Sequence, residues 1–107
     1  MCGLTGILSS SPSNDITRQV ANMTSLLAHR GPNDEGVWSE GNIGLGQRRL
    51  SVLDLSVSGA QPMHSECKRF VMAFNGEIYN HLDIRKKLED EGASIKWRGH
   101  SDTETLL

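Results

Sequence analysis

The chain is 107 residues long, enough for one small domain. With a net charge of −2 and 36% hydrophobic residues it reads as soluble and globular, and no field of basic charge points to nucleic acid. No apolar run approaches the roughly 20 residues that a membrane-spanning helix needs, and the start lacks the basic and apolar regions of a secretory signal.

Cys2 follows Met1 directly. If Met1 is trimmed, one residue carries both a thiol and a free α-amine. The thiolate is the nucleophilic form of cysteine, and an α-amine titrates near neutral pH, so nucleophile and base would share a residue. Position alone is weak support, because a buried cysteine is more often inert packing. Gly3 to Ser9, with Leu4, Ile7 and Leu8, suits a buried strand. Asn14 to His29 carries Ile16, Val20, Met23 and Leu27 on one helical face, with Ser13 or Asn14 as cap. Gly31-Pro32 must break that helix. Val37 to Glu40 and Ile43 to Leu50 flank Gly41-Asn42, a two-residue hairpin turn. Ser56 to Pro62 is a loop, and Arg69 to Phe74 a strand leading into Asn75-Gly76. Asn80 caps a helix running to Glu91, with Leu82, Arg85 and Leu88 bordering one face and Gly92 closing it. Ala93 to Trp97 is a further short strand. Ser101 and Glu104 are spaced as a capping box. A helix that has barely begun at Leu107 suggests a segment of a longer protein. Strands with two interspersed helices indicate an α+β or layered α/β fold.

Several segments carry candidate chemistry. His29 to Gly36 packs charge, two glycines and a proline into one turn; alone it is a helix stop with solvated charges or a rigid loop beside a site. Arg48 and Arg49 should face opposite sides of a strand. Either can be a solvated side chain, and one can form a planar fork to a carboxylate. Asn75-Gly76 is a common hairpin turn, yet the Asn75 amide and an unobstructed Gly76 N–H are also the donors of an oxyanion hole. Glu77 could accept from an ammonium group, as could Asp102 if it is not simply a cap. The four histidines lack ligand spacing and no metal is expected. The two cysteines form neither a disulfide framework nor a paired metal site, which fits a reducing, cytoplasmic setting. Cys67 lies in a polar turn and receives no role.

Taken in order, Met1-Cys2-Gly3, His29–Gly36, Arg49–Leu53, Asn75–Asn80 and Ser101–Glu104 resemble the glutaminase domain of class II glutamine amidotransferases, the N-terminal-nucleophile enzymes. His29-Arg30-Gly31-Pro32 and Asn75-Gly76-Glu77-Ile78-Tyr79-Asn80 are similar to the asparagine synthetase type. One departure is Gln47, where relatives often have His, at a position without a usual catalytic part.

The resemblance implies part of an α/β/β/α sandwich over residues 1–107, with the rest of the domain and a C-terminal synthetase domain beyond. It implies that Cys2 attacks the side-chain amide of glutamine, with its own α-amine as base, and that Asn75 and Gly76 hold the oxyanion. Arg49 would grip the glutamine carboxylate, Glu77 and Asp102 its ammonium, and Leu50, Ser51, Val52 and Leu53 would line the site. Ammonia would pass to the synthetase domain for amidation of aspartate with ATP and magnesium, no cofactor being needed in this segment. Transfer to another acceptor, such as a sugar carboxylate, is an alternative, as is a non-catalytic domain that keeps the fold. A membrane or nucleic-acid partner is not expected, and a homodimer is one assembly open to it. A retained Met1 would block the amine of Cys2.

Overall fold

A computed structural model describes residues 2–50 and 56–107. Its first half is a three-stranded antiparallel sheet in the order β1 (Gly3–Leu8), β3 (Ile43–Arg49), β2 (Asp34–Glu40), with helix α1 (Ile16–Ser25) on one face. Glu40 pairs with Ile43, so Gly41-Asn42 is the two-residue turn read from the sequence. β2 begins three residues earlier than expected, because Asp34, Glu35 and Gly36 continue the ladder against Arg49, Arg48 and Gln47.

Helix and sheet meet through glycine. Gly44 and Gly46 of β3 turn toward α1, and a Cβ at Gly44 would sit 2.5 Å from Val20 and 2.7 Å from Ile16. Removing two side chains from one sheet face lets the helix lie closer than branched residues would. Val20 and Ile16 are buried there, 0% and 2% exposed. Thr24, not Met23, completes the stripe: Thr24 is fully buried and Met23 is exposed. The Thr24 hydroxyl donates to the Val20 carbonyl at 2.7 Å, so Thr5 is the donor in the 2.8 Å bond between the two hydroxyls. A long methionine could not fit against Gly46, whereas a threonine can, and its polar atom is satisfied. The Ser13 hydroxyl accepts the Asp15 N–H just ahead of α1 at 3.1 Å.

β1 is not buried on both sides. Its residues alternate, with Gly3, Thr5 and Ile7 toward α1, and Leu4 and Leu8 exposed on the opposite face. That second face is partly covered by the segment after residue 55. There a short 3-10 turn (Val57–Gly59) precedes a two-stranded ribbon of β4 (Met63–His64) and β5 (Val71–Met72). The strand expected over Arg69 to Phe74 shrinks to β5, because Phe74 spends both its backbone polar groups on side chains, Gln61 and Gln47. The ribbon's turn holds Cys67, whose Sγ lies 3.4 Å from the Ser65 hydroxyl. That hydrogen bond, with help from the backbone at Arg69, holds the exposed thiol below the usual cysteine range.

Helices α2 (His81–Asp90) and α3 (Asp102–Leu106) form the last part. Leu82 is exposed, and the buried anchor of α2 is Arg85. Its guanidinium donates to Thr105 Oγ1 at 2.7 Å, to the Gly99 carbonyl at 2.7 Å and to the Ser101 carbonyl at 2.8 Å. It also lies 4.0 Å above the Trp97 ring centroid and 3.6 Å from Glu104. The capping box forms by half. Ser101 accepts the Thr103 N–H at 3.2 Å, but Glu104 turns to the N–H groups of Arg98 and Gly99 at 2.7 and 3.0 Å. Ala93 to Trp97 is therefore no strand. The chain running on from it gives its main-chain groups to Glu104 and Arg85, where a strand would have paired with a neighbour. Among the described residues, no helix is long and apolar enough to cross a membrane.

Gly46→Ala should destabilise the fold by about 1–3 kcal/mol, the usual cost of overpacking. The added carbon would overlap the Thr24 hydroxyl and sit 2.5 Å from that of Thr5. Denaturant unfolding measures it, and an unchanged midpoint would show that α1 is not seated on this glycine. For Cys67, alkylation should reach its half-maximal rate at a lower pH than for an ordinary cysteine, since the thiolate forms earlier. Ser65→Ala should move that midpoint back up.

Candidate active site

Cys2 lies one residue before the first strand pair, Gly3 with Arg48. Extending that register by one step puts Cys2 opposite Arg49, on the sheet face away from α1. The thiol is held by main chain: Sγ accepts the Leu50 N–H at 3.5 Å and lies 4.0 Å from the Leu50 carbonyl oxygen. A second segment reaches the same residue from far along the chain, as Asn75 Nδ2 donates to the Cys2 carbonyl at 3.2 Å. An amide nitrogen carries two hydrogens, so this bond uses one and leaves the other for a ligand.

The third wall is the turn after α1. Leu27 packs on Gly3, and His29 Nδ1 lies 3.1 Å from the Leu26 carbonyl oxygen. Gly31 is pressed so close to β3 that a Cβ would overlap the Arg48 carbonyl group and sit 2.5 Å from the Arg49 nitrogen. Asn33 then donates its N–H to the Arg49 carbonyl at 3.0 Å. The glycine of this turn is thus a packing requirement, and the turn is fixed to the end of the strand bearing both arginines. Together these elements border an open cleft of about 340 Å³ lined by Cys2, Gly3, Leu4, Leu27, His29, Arg30 and Asn75.

The arginines diverge as alternation requires. Arg48, on the α1 side, pairs with Glu35 across the ladder. Arg49, on the Cys2 side, reaches the Ser56 carbonyl at 3.4 Å and lies against Gly59, where a Cβ would be 2.5 Å from its guanidinium. Gly76 and Glu77 are exposed, and the Gly76 Cα rests on the Phe74 ring, with room for no more, since a Cβ would be 2.6 Å from it. Asp102 accepts the Ile78 N–H at 2.8 Å, which brings its carboxylate beside the Asn75–Tyr79 segment. Cys2, Leu50 and Asn75 therefore touch, while Glu77 and Asp102 sit on or against the segment that follows Asn75. Ser51, Val52 and Leu53 lie outside the described residues, as does Met1. Among the described residues, no group of three or more His, Cys, Asp or Glu side chains could hold a metal ion.

Sequence reasoning gave Gln47 and Gln61 no part. Gln47 is 2% exposed, and its Nε2 donates to the Phe74 carbonyl at 3.0 Å. Gln61 accepts the Phe74 N–H at 2.6 Å and donates to Thr103 Oγ1 at 3.1 Å. One signal was available: Gln47 alternates in phase with Leu45, and a polar residue on an inward position must find a partner.

Residues 1–107 match the glutamine amidotransferase domain family. The chain is 36% identical over 110 residues to the glutamine-hydrolyzing asparagine synthetase 1 of Bacillus subtilis (strain 168), covering all of this chain and 17% of that protein. It is 37% identical over 107 residues to the glutamine-hydrolyzing asparagine synthetase of Asparagus officinalis, covering 99% of this chain and 17% of that one. It is 35% identical over 119 residues to amidase chry2 of Gibberella zeae, covering all of this chain and again 17% of the relative. The chain thus spans about a sixth of the length of these curated relatives, and it belongs to the glutamine amidotransferase domain family.

Proposed function

We propose that this chain is the start of the glutamine-hydrolysing half of an asparagine synthetase-like enzyme, with Cys2 as nucleophile. The observation that carries the reading is the meeting at Cys2. The second residue of the chain has its thiol against the Leu50 main chain, and a side-chain amide from Asn75 reaches its carbonyl.

The chemistry follows from those groups. The Cys2 thiol gives its proton to the α-amine freed by removal of Met1, and sulfur attacks the amide carbon of glutamine. A C–S bond forms while the C=O becomes an oxyanion, held by the remaining Asn75 hydrogen and the Gly76 N–H. Collapse breaks the C–N bond; nitrogen takes the proton from the α-amine and leaves as ammonia. Water then attacks the thioester, giving glutamate and restoring the thiol. Arg49 binds the substrate carboxylate, with Leu50, Ser51, Val52 and Leu53 beside it. Glu77 and Asp102 bind the ammonium group, Asp102 being held beside this segment by the Ile78 N–H. Ammonia passes to a synthetase domain of the same polypeptide, where ATP and magnesium activate aspartate. The much greater length of the relatives supports such a further domain. The cytoplasm is the setting in which such a thiol stays reduced.

Cys2→Ala should abolish glutamine hydrolysis by the protein expressed from its native gene while sparing ammonia-dependent amidation. The active protein should lack Met1 by mass spectrometry. Persistent glutamate release by the variant, or full activity with Met1 in place, would sink the assignment. Arg49→Lys should raise KM for glutamine by at least tenfold, since a lysine cannot reproduce a planar two-bond fork to a carboxylate. Arg48→Lys should change it far less, as that side chain pairs with Glu35 on the other face. The reverse order would mean that the carboxylate pocket lies on the α1 side of the sheet.

A further inference from the structure

We infer that Gln47 and Gln61 are positioning residues that clamp the Phe74 peptide groups and thereby set the oxyanion donors Asn75 and Gly76. This rests on the proposed part of Asn75 in glutamine hydrolysis.

Phe74 immediately precedes the two donors. Its carbonyl accepts from Gln47 Nε2 at 3.0 Å, and its N–H donates to Gln61 Oε1 at 2.6 Å. Neither bond belongs to a sheet or helix, so Phe74 owes its place to two side chains. Gln47 comes from the middle of the central strand, the most rigid support available, and is almost wholly buried. Its amide has little access to water, so losing the Phe74 carbonyl would leave both groups without a partner. Gln61 is anchored in turn by Thr103 Oγ1 at 3.1 Å, next to Asp102, which itself holds the Ile78 N–H at 2.8 Å. The segment 74–78 is thus pinned at both ends, with Asn75, Gly76 and Glu77 between the pins. Asn75 and Gly76 are exposed, and the Cys2 carbonyl orients the Asn75 amide. Oxyanion donors act only when fixed to within a fraction of an ångström of the developing charge. The clamp supplies that fixity from outside the reacting atoms.

The test uses Gln47→Met, which keeps length and burial but removes the donor, in the protein expressed from its native gene. Expected is a fall in kcat for glutamine hydrolysis of about tenfold to a hundredfold, no more than the ~10²–10³ that outright loss of an oxyanion donor costs, with KM within about threefold. Alkylation of Cys2 by iodoacetamide, read on the N-terminal peptide, should keep its rate, because that displacement forms no oxyanion. In an Asn75→Ala background, Gln47→Met should cost clearly less than it does alone, since one of the two donors that the clamp sets is already removed. Gln61→Met should behave likewise. Gln47→His, which retains a ring N–H of similar reach, should restore most of kcat. Full additivity with Asn75→Ala, or a parallel loss of Cys2 alkylation, would overturn the clamp and reduce Gln47 to general packing. If Asn75→Ala alone leaves kcat unchanged, it is instead the oxyanion reading of Asn75 that fails.

Discussion

Strand β3 carries glycine on one face and Leu45, Gln47 and Arg49 on the other, and the molecule is assembled around that asymmetry. On the glycine face, Gly44 and Gly46 let α1 approach until Val20 and Thr24 touch the strand's backbone. On the other, a buried amide has to be satisfied, and the Phe74 carbonyl is what satisfies it. The end of the same strand receives the turn after α1 through Gly31 and Asn33. Its neighbour β1 starts beside that end and so delivers Cys2 there. The candidate site is the place where these dockings converge, and each depends on β3 keeping its register. A one-residue slip would exchange the two faces, setting glutamine against α1 and glycine where Phe74 needs a donor.

The two ends of the chain are held by different physics. The α1 side uses apolar burial, with Ile16 and Val20 sealed against the sheet. The α2–α3 side uses charge: Arg85 and Glu104 are each 8% exposed, and between them they bind five main-chain groups or hydroxyls and a second guanidinium, that of Arg98. Buried ions survive only when paired and fully hydrogen-bonded, and such a network is specific because few geometries satisfy it. That specificity places Ser101 and Asp102, and so the carboxylate beside Ile78. Apolar contacts alone would tolerate sliding that this arrangement does not.

Much of this is legible in the amino-acid sequence. The hairpin at Gly41-Asn42 is, because a two-residue turn between alternating segments has few alternatives. So are α1 through its periodicity and the opposed faces of Arg48 and Arg49, since alternation along a strand is geometric. The family followed from short motifs in a fixed order, which survive because their chemistry demands particular residue types. What failed was of one kind. Met23 is placed on the buried face of α1 by hydrophobicity, and that place goes to Thr24; of Leu82, Arg85 and Leu88, read together as bordering one face of α2, it is Arg85 that is buried and Leu82 that is exposed. Ala93 to Trp97 was assigned to a strand that has no partner. In each case the local pattern is real, but a contact from outside the segment overrides it: a glycine opposite Thr24, a carbonyl cluster around Arg85, a carboxylate at Arg98 and Gly99.

The sequence by itself determined the nucleophile candidate, the motif order and the faces of β3, because these depend on residue identity and on periodicities intrinsic to the backbone. Only the tertiary structure decided that Asn75 meets Cys2 across 73 positions, that Asp102 attaches to the segment behind Asn75, and that two glutamines hold Phe74 between them. Those are hydrogen bonds between groups remote in sequence. A glutamine looks the same in a sequence whether water or a buried carbonyl satisfies it, and the difference arises only when folding removes the water.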